Sequence, residues 1–255
     1  MALLALPAAL VWLFLATTSV AAQSQTVERW VDAILGNDSR NCTRAIEEGE
    51  EEGDPDVYIY NSCRTIARAL AVAGPNDVIR VTGGTFSLPL TVDKPLTIIG
   101  GYLPGFGQQI EPPNFPNFQI TTINGANLGT ALSIRGQALT LIDPSITGEP
   151  PMSVTLRDLR ISGGNNSGLV IFSAGSGFPP TAPNRVNVTL DNVTIFGNSG
   201  AQGGGIRITG NGNRLTLNRS SVQNNTASSA GGGIYVSGGA LLTVGDNTQI
   251  SGNNA

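Results

Sequence analysis

Side chains able to do acid–base chemistry are scarce in this chain of 255 residues. It has no histidine, which excludes Ser-His-Asp hydrolysis, Cys-His proteolysis and the usual zinc sites. From Ser153 onward only Asp158, Asp191 and Asp246 carry carboxylates. Paired carboxylates can hold calcium or act as acid and base on a sugar. Asp158 and Asp191 follow similar strand-like segments, so we expect them to lie one above the other in one column. The column is then either a carboxylate site of this kind or solvated surface charge.

A lyase would also need a basic side chain near these carboxylates. Six arginines lie in the same part of the chain: Arg157, Arg160, Arg185, Arg207, Arg214 and Arg219. The sequence does not show which of them share a face, and it contains no clear Asp–Asp pair. We therefore assign no catalytic residue, no cofactor-binding residue and no metal ligand, expect no cofactor, and lean toward a non-catalytic protein.

Negative charge is concentrated near the beginning of the chain. The net charge is −4, and ten of the 18 acidic residues lie between Glu28 and Asp56. The run Glu47–Asp56 predicts a solvated loop; a calcium loop is the alternative, although the ligand spacing of an EF-hand is absent. Beyond Asp56 the charge is nearly balanced, so we expect no nucleic-acid partner.

The apolar stretch at the start of the chain, residues 1–22, predicts export. It carries no charged side chain, and Val20 and Ala22 stand at suitable cleavage positions for a secretory signal peptide. An uncleaved membrane anchor is the alternative reading. Export predicts a secreted, cell-surface or outer-membrane location, and it favours a structural disulfide between Cys42 and Cys63 over two free thiols.

An internal repeat organises the second half of the chain. Val188–Leu190 recurs as Leu215–Leu217 and, after an equal step, as Leu242–Val244. An earlier copy, Val154–Leu156, is separated from Val188–Leu190 by more residues than separate the later copies. An insertion over residues 175–183 accounts for the additional residues. The period of about 27 residues is in the range typical of a solenoid. Ile195 recurs as Val222 and Ile250, Gly205-Ile206 as Gly233-Ile234, and Asn198 as Asn225 and Asn253.

Each repeat holds three short alternating segments and no run long enough for a helix. This pattern predicts a parallel β-helix with three strands per rung, in which Leu215 and Leu217 point inward and Thr216 outward. Asn198, Asn225 and Asn253 then form a structural column at one turn, because asparagine tolerates left-handed backbone and can bond to its stacked neighbours. The glycines of GGGI would permit close approach at another turn. A phosphate-binding loop is disfavoured, since GGGI opens no helix.

Upstream of the repeats, periodicity predicts two helices, Thr26–Leu35 and Asn61–Ala73, the second capped by Asn61. Short strands are predicted at Val57–Tyr60, Val78–Val81, Leu90–Val92, Leu96–Ile99, Thr121–Ile123, Leu132–Ile134 and Leu139–Ile142. Residues 103–118, rich in proline and aromatics, predict an excursion from the strands.

The expected organisation is a signal peptide (1–22), an N-terminal helical cap region with the acidic loop (23–76), and a β-helix (77–255) that ends in mid-repeat, as a fragment would.

Two stretches resemble known families. FGNSGAQGGGI, residues 196–206, resembles the paired FxxN and GGA-I/L/V motifs of polymorphic outer membrane protein repeats, with glycine in place of the alanine. The segment Asn61–Tyr102, followed by ITTING at 120–125, resembles the entry of bacterial right-handed β-helix proteins of the pectin-lyase-like type. The resemblance covers about residues 57–255. It implies an all-β, right-handed parallel β-helix solenoid capped at its N-terminal end by short α-helical segments.

That superfamily holds lyases, hydrolases, adhesins and passenger domains, so the fold alone does not select a function. Our first hypothesis is a non-catalytic secreted or cell-surface β-helix for adhesion or passenger-type display. Its partner would be a cell-surface glycan or protein, and any membrane association would come only through the signal or an anchor beyond the chain end. The alternatives are a polysaccharide lyase or glycoside hydrolase, and a purely architectural spacer.

Overall fold

A computed structural model describes residues 26–47, 57–104, 120–136, 151–173 and 185–255. The predicted signal peptide, nearly all of the acidic run, most of residues 103–118, the strand predicted at Leu139–Ile142 and the insertion at 175–183 lie outside these described residues. None of the helices found within the described ranges has the length and apolarity needed to cross a membrane.

β-Strands are the main secondary structure of the described part of the chain, which has one helix, α1 (Ile66–Val72). The strands of the first half are β1 (Glu28–Val31), β2 (Thr43–Glu47), β3 (Val57–Asn61), β4 (Val78–Thr82), β5 (Gly84–Ser87), β6 (Leu90–Val92), β7 (Leu96–Tyr102), β8 (Thr121–Asn124) and β9 (Leu132–Gly136). Those of the second half are β10 (Met152–Ser162), β11 (Leu169–Ser173), β12 (Val186–Phe196), β13 (Ser199–Gln202), β14 (Ile206–Thr209), β15 (Arg214–Asn218), β16 (Ser221–Gln223), β17 (Thr226–Ala230), β18 (Ile234–Ser237), β19 (Leu241–Val244) and β20 (Gln249–Ser251).

Two large parallel sheets dominate the fold. The first has eleven strands, seven of them in the order β1-β4-β7-β10-β12-β15-β19. The other four pair outside this order: β5 with β8, β8 with β10, β16 with β12, and β20 with β16. The second has five strands in the order β18-β14-β11-β9-β6. Each of the long strands β10 and β12 pairs with different strands before and after its midpoint. The backbone bends there, because Asp158 in β10 and Asn192 in β12 have positive φ.

Strand pairing follows the sequence repeat. Leu190 pairs with Leu217, and Leu217 pairs with Val244, so the predicted in-register stacking of these positions is confirmed. The second sheet pairs Ile206 with Ile234, which are also equivalent positions of successive repeats. Two successive repeats also contain a small-residue strand that was not predicted separately: β13 and β17 pair in parallel with each other.

Apolar side chains from both large sheets fill one core. Val188, Leu190, Leu215 and Leu217 are all at most 1% exposed, whereas Thr216 between the last two is only partly buried. This alternation is the direct consequence of the two-residue period of a strand. Burying one such side chain stabilises the fold by about 1.5–3 kcal/mol.

The helix predicted over Thr26–Leu35 is wrong, because this segment contains strand β1, which pairs in parallel with β4. Val31 packs in the main core, and Trp30 packs on the opposite face of the sheet with Ile99 and Tyr102. When both faces of a strand are covered, the alternation that distinguishes it from a helix disappears from the sequence. The first large sheet therefore begins within the segment assigned to the cap.

The second predicted helix exists but is shorter. Asn61 is the last residue of β3, not a helix cap, and α1 begins at Ile66 after the N-cap Thr65, whose side chain accepts a hydrogen bond from the backbone amide of Arg68. The start is delayed because Asp38 binds the preceding turn: its carboxylate accepts hydrogen bonds from the backbone amides of Arg64 and Thr65 at 2.8 and 2.9 Å. The strands predicted at 57–60, 78–81, 90–92, 96–99, 121–123 and 132–134 all form, and the first pairs with β2 in an antiparallel ribbon.

Candidate functional site

The three repeat asparagines form a continuous hydrogen-bonded ladder, which we call the asparagine ladder (Asn198, Asn225 and Asn253). Asn225 Oδ1 accepts hydrogen bonds of 3.0 Å from both the backbone amide and Nδ2 of Asn198. Asn253 Oδ1 accepts the same two bonds from Asn225, again at 3.0 Å. Asn198 and Asn225 are 2% and 0% exposed, so these two residues support a turn and offer no surface to a ligand, while Asn253 is half-buried.

Two further turns contain buried polar side chains that the sequence analysis missed. Ser220 Oγ accepts a hydrogen bond from the backbone amide of Val193 and donates one to the carbonyl of Asn218. Asn213 Oδ1 accepts a hydrogen bond of 2.9 Å from the backbone amide of Val186. A small polar residue flanked by strand-like segments was the available signal. These residues satisfy backbone groups inside the fold, as buried polar groups generally do.

Cys42 and Cys63 form a disulfide, with their Cα atoms 4.8 Å apart and both residues fully buried. The backbone of Trp30 lies between the two: its amide donates to the carbonyl of Cys42, and its carbonyl accepts from the amide of Cys63. The bridge therefore ties the entry of α1 to the first strand of the large sheet. Its role is structural, because neither sulfur reaches solvent.

The expectation that Asp158 and Asp191 share one column is wrong. Pairing of β10 with β12 places Asp191 opposite Arg157, and pairing of β12 with β15 places Asp191 opposite Asn218. Asp158 lies one position later, at the turn with positive φ that Asn192 occupies in the next repeat. The two carboxylates belong to neighbouring columns because the aligned leucines, not the acids, set the register.

Both carboxylates are already engaged with neighbouring side chains. Asp158 accepts hydrogen bonds from Arg157 Nε at 3.0 Å and from Asn192 Nδ2 at 2.7 Å. Asp191 is held by Arg219 through Nε at 2.9 Å and Nη2 at 2.7 Å. Such partly exposed ion pairs contribute little stability. Within the described ranges, no group of three or more acidic or cysteine side chains is placed to hold a metal ion.

The arginines singled out from the sequence lie on different sheets. Arg157 and Arg160 belong to β10 and Arg214 to β15, all in the first sheet, and Arg219 follows β15. Arg207 belongs to β14 in the second sheet, and Arg185 precedes β12. The structure therefore does not gather them around one catalytic carboxylate.

An aromatic and basic surface lies on the outer side of the second sheet. In β11 and β14 the core receives Leu169, Ile171, Ile206 and Ile208, so the residues between them point the other way. Four residues at such outward positions define what we call the Arg–aromatic face: Arg135, Phe172, Arg207 and Tyr235.

This face is built from two equivalent pairs. Arg135 of β9 lies directly opposite Phe172 of β11, and Arg207 of β14 lies directly opposite Tyr235 of β18. In each pair the arginine is on one strand and the aromatic ring on the next. Arg207 was among the arginines singled out from the sequence, but the pairs were not predicted; the alternation around the inward aliphatic residues was the signal that could have found them.

Among the described residues, neither guanidinium group on this face has a counter-ion. None of the ion pairs in that part of the chain includes Arg135 or Arg207. Arg135 is exposed, while Phe172, Arg207 and Tyr235 are half-buried. Arg207 Nε is buried and has no hydrogen-bond partner within the described ranges. A buried donor without a partner costs free energy, so a ligand that accepts hydrogen bonds from Arg207 would be favoured more than one bound only to Arg135.

A contrasting cluster on the first sheet has its charge fully compensated. Arg80 stacks over the rings of Trp30 and Tyr102, with its Cζ 5.5 and 5.4 Å from their centroids, and pairs with Glu28. Burial alone would lower the pKa of Arg80, but the hydrogen bond to Glu28 and the contact with Tyr102 outweigh it and raise the pKa above its ordinary value. This cluster holds β1, β4 and β7 together.

A groove follows helix α1. Its wider part has a volume of about 370 Å³ and is lined by Ile66, Phe86, Leu88 and other residues. The polar groups around it serve the helix: Asp38 binds the turn that precedes α1, and Lys94 Nζ donates to the carbonyls of Leu70 and Ala73 at 3.1 and 3.0 Å. These contacts favour a structural role for the groove.

Comparison of the chain with models of known protein families, with curated proteins and with solved structures yields no match.

Proposed function

We propose that the chain is a secreted or cell-surface, non-catalytic right-handed parallel β-helix of the pectin-lyase-like type, with repeats like those of polymorphic outer membrane proteins. We propose three main strands per turn. Support comes from the two large parallel sheets and from the nearly constant sequence step between paired positions of successive repeats. Helix α1 would cover one end of the solenoid.

The proposed function is binding to a cell surface, through either adhesion or display of the long outer faces. The observation that carries this proposal is the Arg–aromatic face, where Arg135 faces Phe172 and Arg207 faces Tyr235 on adjacent strands. Arginine and aromatic side chains are enriched at the energetic centres of interfaces. A sheet that repeats its outward positions is suited to extended ligands, since each strand adds a further contact.

The carboxylates weigh against the enzymatic alternative, a polysaccharide lyase or glycoside hydrolase. Asp191 is held by both Nε and Nη2 of Arg219, and Asp158 is held by Arg157 and Asn192. An acid–base pair acting on a sugar needs two carboxylates facing one bond. These two lie in neighbouring columns and are each directed to a different partner.

The test uses the folded, full-length chain labelled with a fluorophore. Binding to intact cells and to a glycan array would support the proposal, with the same protein unfolded by reduction and heating as a control for nonspecific adsorption. Polygalacturonate, alginate and xylan are incubated in parallel, and new reducing ends and unsaturated-sugar absorbance are followed. Turnover of any of these polymers would overturn the non-catalytic reading. If the protein binds none of the cells and none of the glycans, the architectural spacer is the remaining hypothesis.

A further inference from the structure

Resting on the proposed surface-binding function, we propose that the Arg–aromatic face is a binding site for a sulfated glycan. The four residues Arg135, Phe172, Arg207 and Tyr235 supply two arginine–aromatic pairs on one side of one sheet. Each pair spans adjacent strands, about 4.8 Å apart. Arg135 and Arg207 are two strands apart and two residues offset along the strand, which separates their Cα atoms by about 12 Å. Val170, which pairs with Arg207 and lies two residues from Phe172 on β11, is 3% exposed, so a linear polymer would contact the arginines and rings on either side of it.

Charge on this face favours an anionic partner. The whole chain carries a net charge of −4. The outward positions of the five strands contain two arginines and no acidic residue: they are Thr91, Ser133, Arg135, Val170, Phe172, Arg207, Thr209, Tyr235 and Ser237. Asp93 follows β6 directly, where the register of β6 and β9 continues toward Arg135. Two cations against one flanking carboxylate leave the face locally positive, and an anionic ligand is its complement.

The terminal donors of Arg207 suit a sulfate ester or another anionic group bound end-on, and competition with polygalacturonate separates sulfate from carboxylate. The carboxylate of Asp191 is bound side-on by the Nε and Nη2 donors of Arg219. In Arg207 the Nε atom is buried, so this edge cannot be presented to a planar ligand in the same way. The terminal Nη donors remain. A sulfate group offers three oxygens in different directions, so it can accept from these donors end-on and stays ionised throughout the physiological pH range.

The aromatic partners favour a sugar as the carrier of the sulfate. Phe172 and Tyr235 are half-buried, and each lies one strand beyond an arginine. An aromatic side chain fixed on a strand presents a rigid apolar surface at little entropic cost, and the C–H face of a pyranose ring is its complement. Alternating anionic groups and ring faces are the chemical pattern of a sulfated polysaccharide.

The experiment measures binding of the full-length chain to immobilised heparin by surface plasmon resonance at physiological salt. We compare wild type with Arg135→Gln/Arg207→Gln and with Tyr235→Ala. The matched control is Arg160→Gln/Arg214→Gln, which removes the same charge from two exposed arginines of the first sheet. Loss of two charge-assisted contacts predicts Kd at least about tenfold higher for the Arg135/Arg207 variant. The Tyr235 variant should weaken binding severalfold, and the control should remain within about twofold of wild type.

Chemically desulfated heparin, polygalacturonate and dextran serve as competitors. Competition by heparin alone supports a sulfate site. Equal competition by polygalacturonate or by desulfated heparin overturns the assignment to sulfate, and wild-type affinity in the Arg135/Arg207 variant overturns the assignment to this face. Circular dichroism establishes that each variant is folded. If the chain binds cells but not heparin, the sulfated-glycan site is refuted while the proposed surface-binding function stands; if it binds neither, both fail.

Discussion

Asn198 and Asn225, at equivalent positions of successive repeats, are joined by two hydrogen bonds of 3.0 Å to the same amide oxygen. Asn225 Nδ2 also donates to the carbonyl of Ile195 and to that of Gln223, both at 3.0 Å. One buried side chain therefore satisfies groups in its own repeat and in the preceding one. This relationship explains why the repeat keeps an asparagine at this position.

Replacement of Asn225 by alanine should be strongly destabilising. The change leaves the backbone amide of Asn198 and the carbonyl of Ile195 buried without partners, and each orphaned group costs about 1–3 kcal/mol. We expect the free energy of unfolding to fall by about 2–4 kcal/mol, measured by urea denaturation. Asn187→Ala, at a partly exposed strand position, is the control and should change stability by less than about 0.5 kcal/mol. Equal effects of the two variants would contradict a specific role for the ladder.

Substitutions along the leucine column of the first sheet should reduce the free energy of unfolding by different amounts, according to how deeply each residue is buried. Leu217 is fully buried between Leu190 and Val244, whereas Val244 is 49% exposed on β19. Leu217→Ala should cost about 2–5 kcal/mol, because it removes buried methyl groups and leaves a cavity. Val244→Ala should cost less than about 1 kcal/mol. Chemical denaturation of both variants tests this; similar losses would mean that the two positions are equally packed.

The glycine triplet before β14 predicts a steric requirement. A Cβ added at Gly204 would lie 2.2 Å from the carbonyl oxygen of Thr226 and 2.7 Å from that of Gly232, both backbone atoms of the next repeat. Gly204→Ala should therefore cost at least about 3 kcal/mol, the upper end of the usual penalty for overpacking.

Gly74→Ala is the matched control for this glycine. Its added Cβ would meet only the Asp77 carboxylate, at 3.7 Å or more, so the substitution should be neutral or stabilising by up to about 1 kcal/mol. Thermal unfolding followed by circular dichroism measures both variants. A Gly204→Ala protein as stable as wild type would show that the two repeats are not in close backbone contact there.

The Cys42–Cys63 disulfide predicts a redox dependence of stability. It links residues 21 positions apart, and closing a loop of this length stabilises the folded state by about 3 kcal/mol in the chain-entropy model. The Cys42→Ala/Cys63→Ala variant should lose about 2–4 kcal/mol of unfolding free energy.

Reduction supplies the complementary measurement for the disulfide. Dithiothreitol should lower the urea midpoint of the wild type and leave that of the Cys42→Ala/Cys63→Ala variant unchanged. Because both sulfurs are buried, reduction of the native protein should be slow without denaturant. A reductant effect of the same size in both proteins would show that it acts elsewhere.

The sequence by itself determined the repeat and what each repeat buries. Its regular step places Leu190, Leu217 and Val244 in register, because parallel strands of equal spacing pair position by position. Alternation then determined which side chains enter the core. This information is local and periodic, so it can be read without knowing the fold.

Only the tertiary structure decided how non-repeating residues meet. Trp30 and Val31 form a strand instead of a helix because apolar partners cover both faces of β1, a fact that no local pattern records. Asp158 and Asp191 separate into neighbouring columns because the leucines control the pairing. The match of Arg135 with Phe172 and of Arg207 with Tyr235 likewise follows from the order of strands in the second sheet. Such long-range placement depends on pairing between strands far apart in the chain, so the site was decided by the assembled sheets.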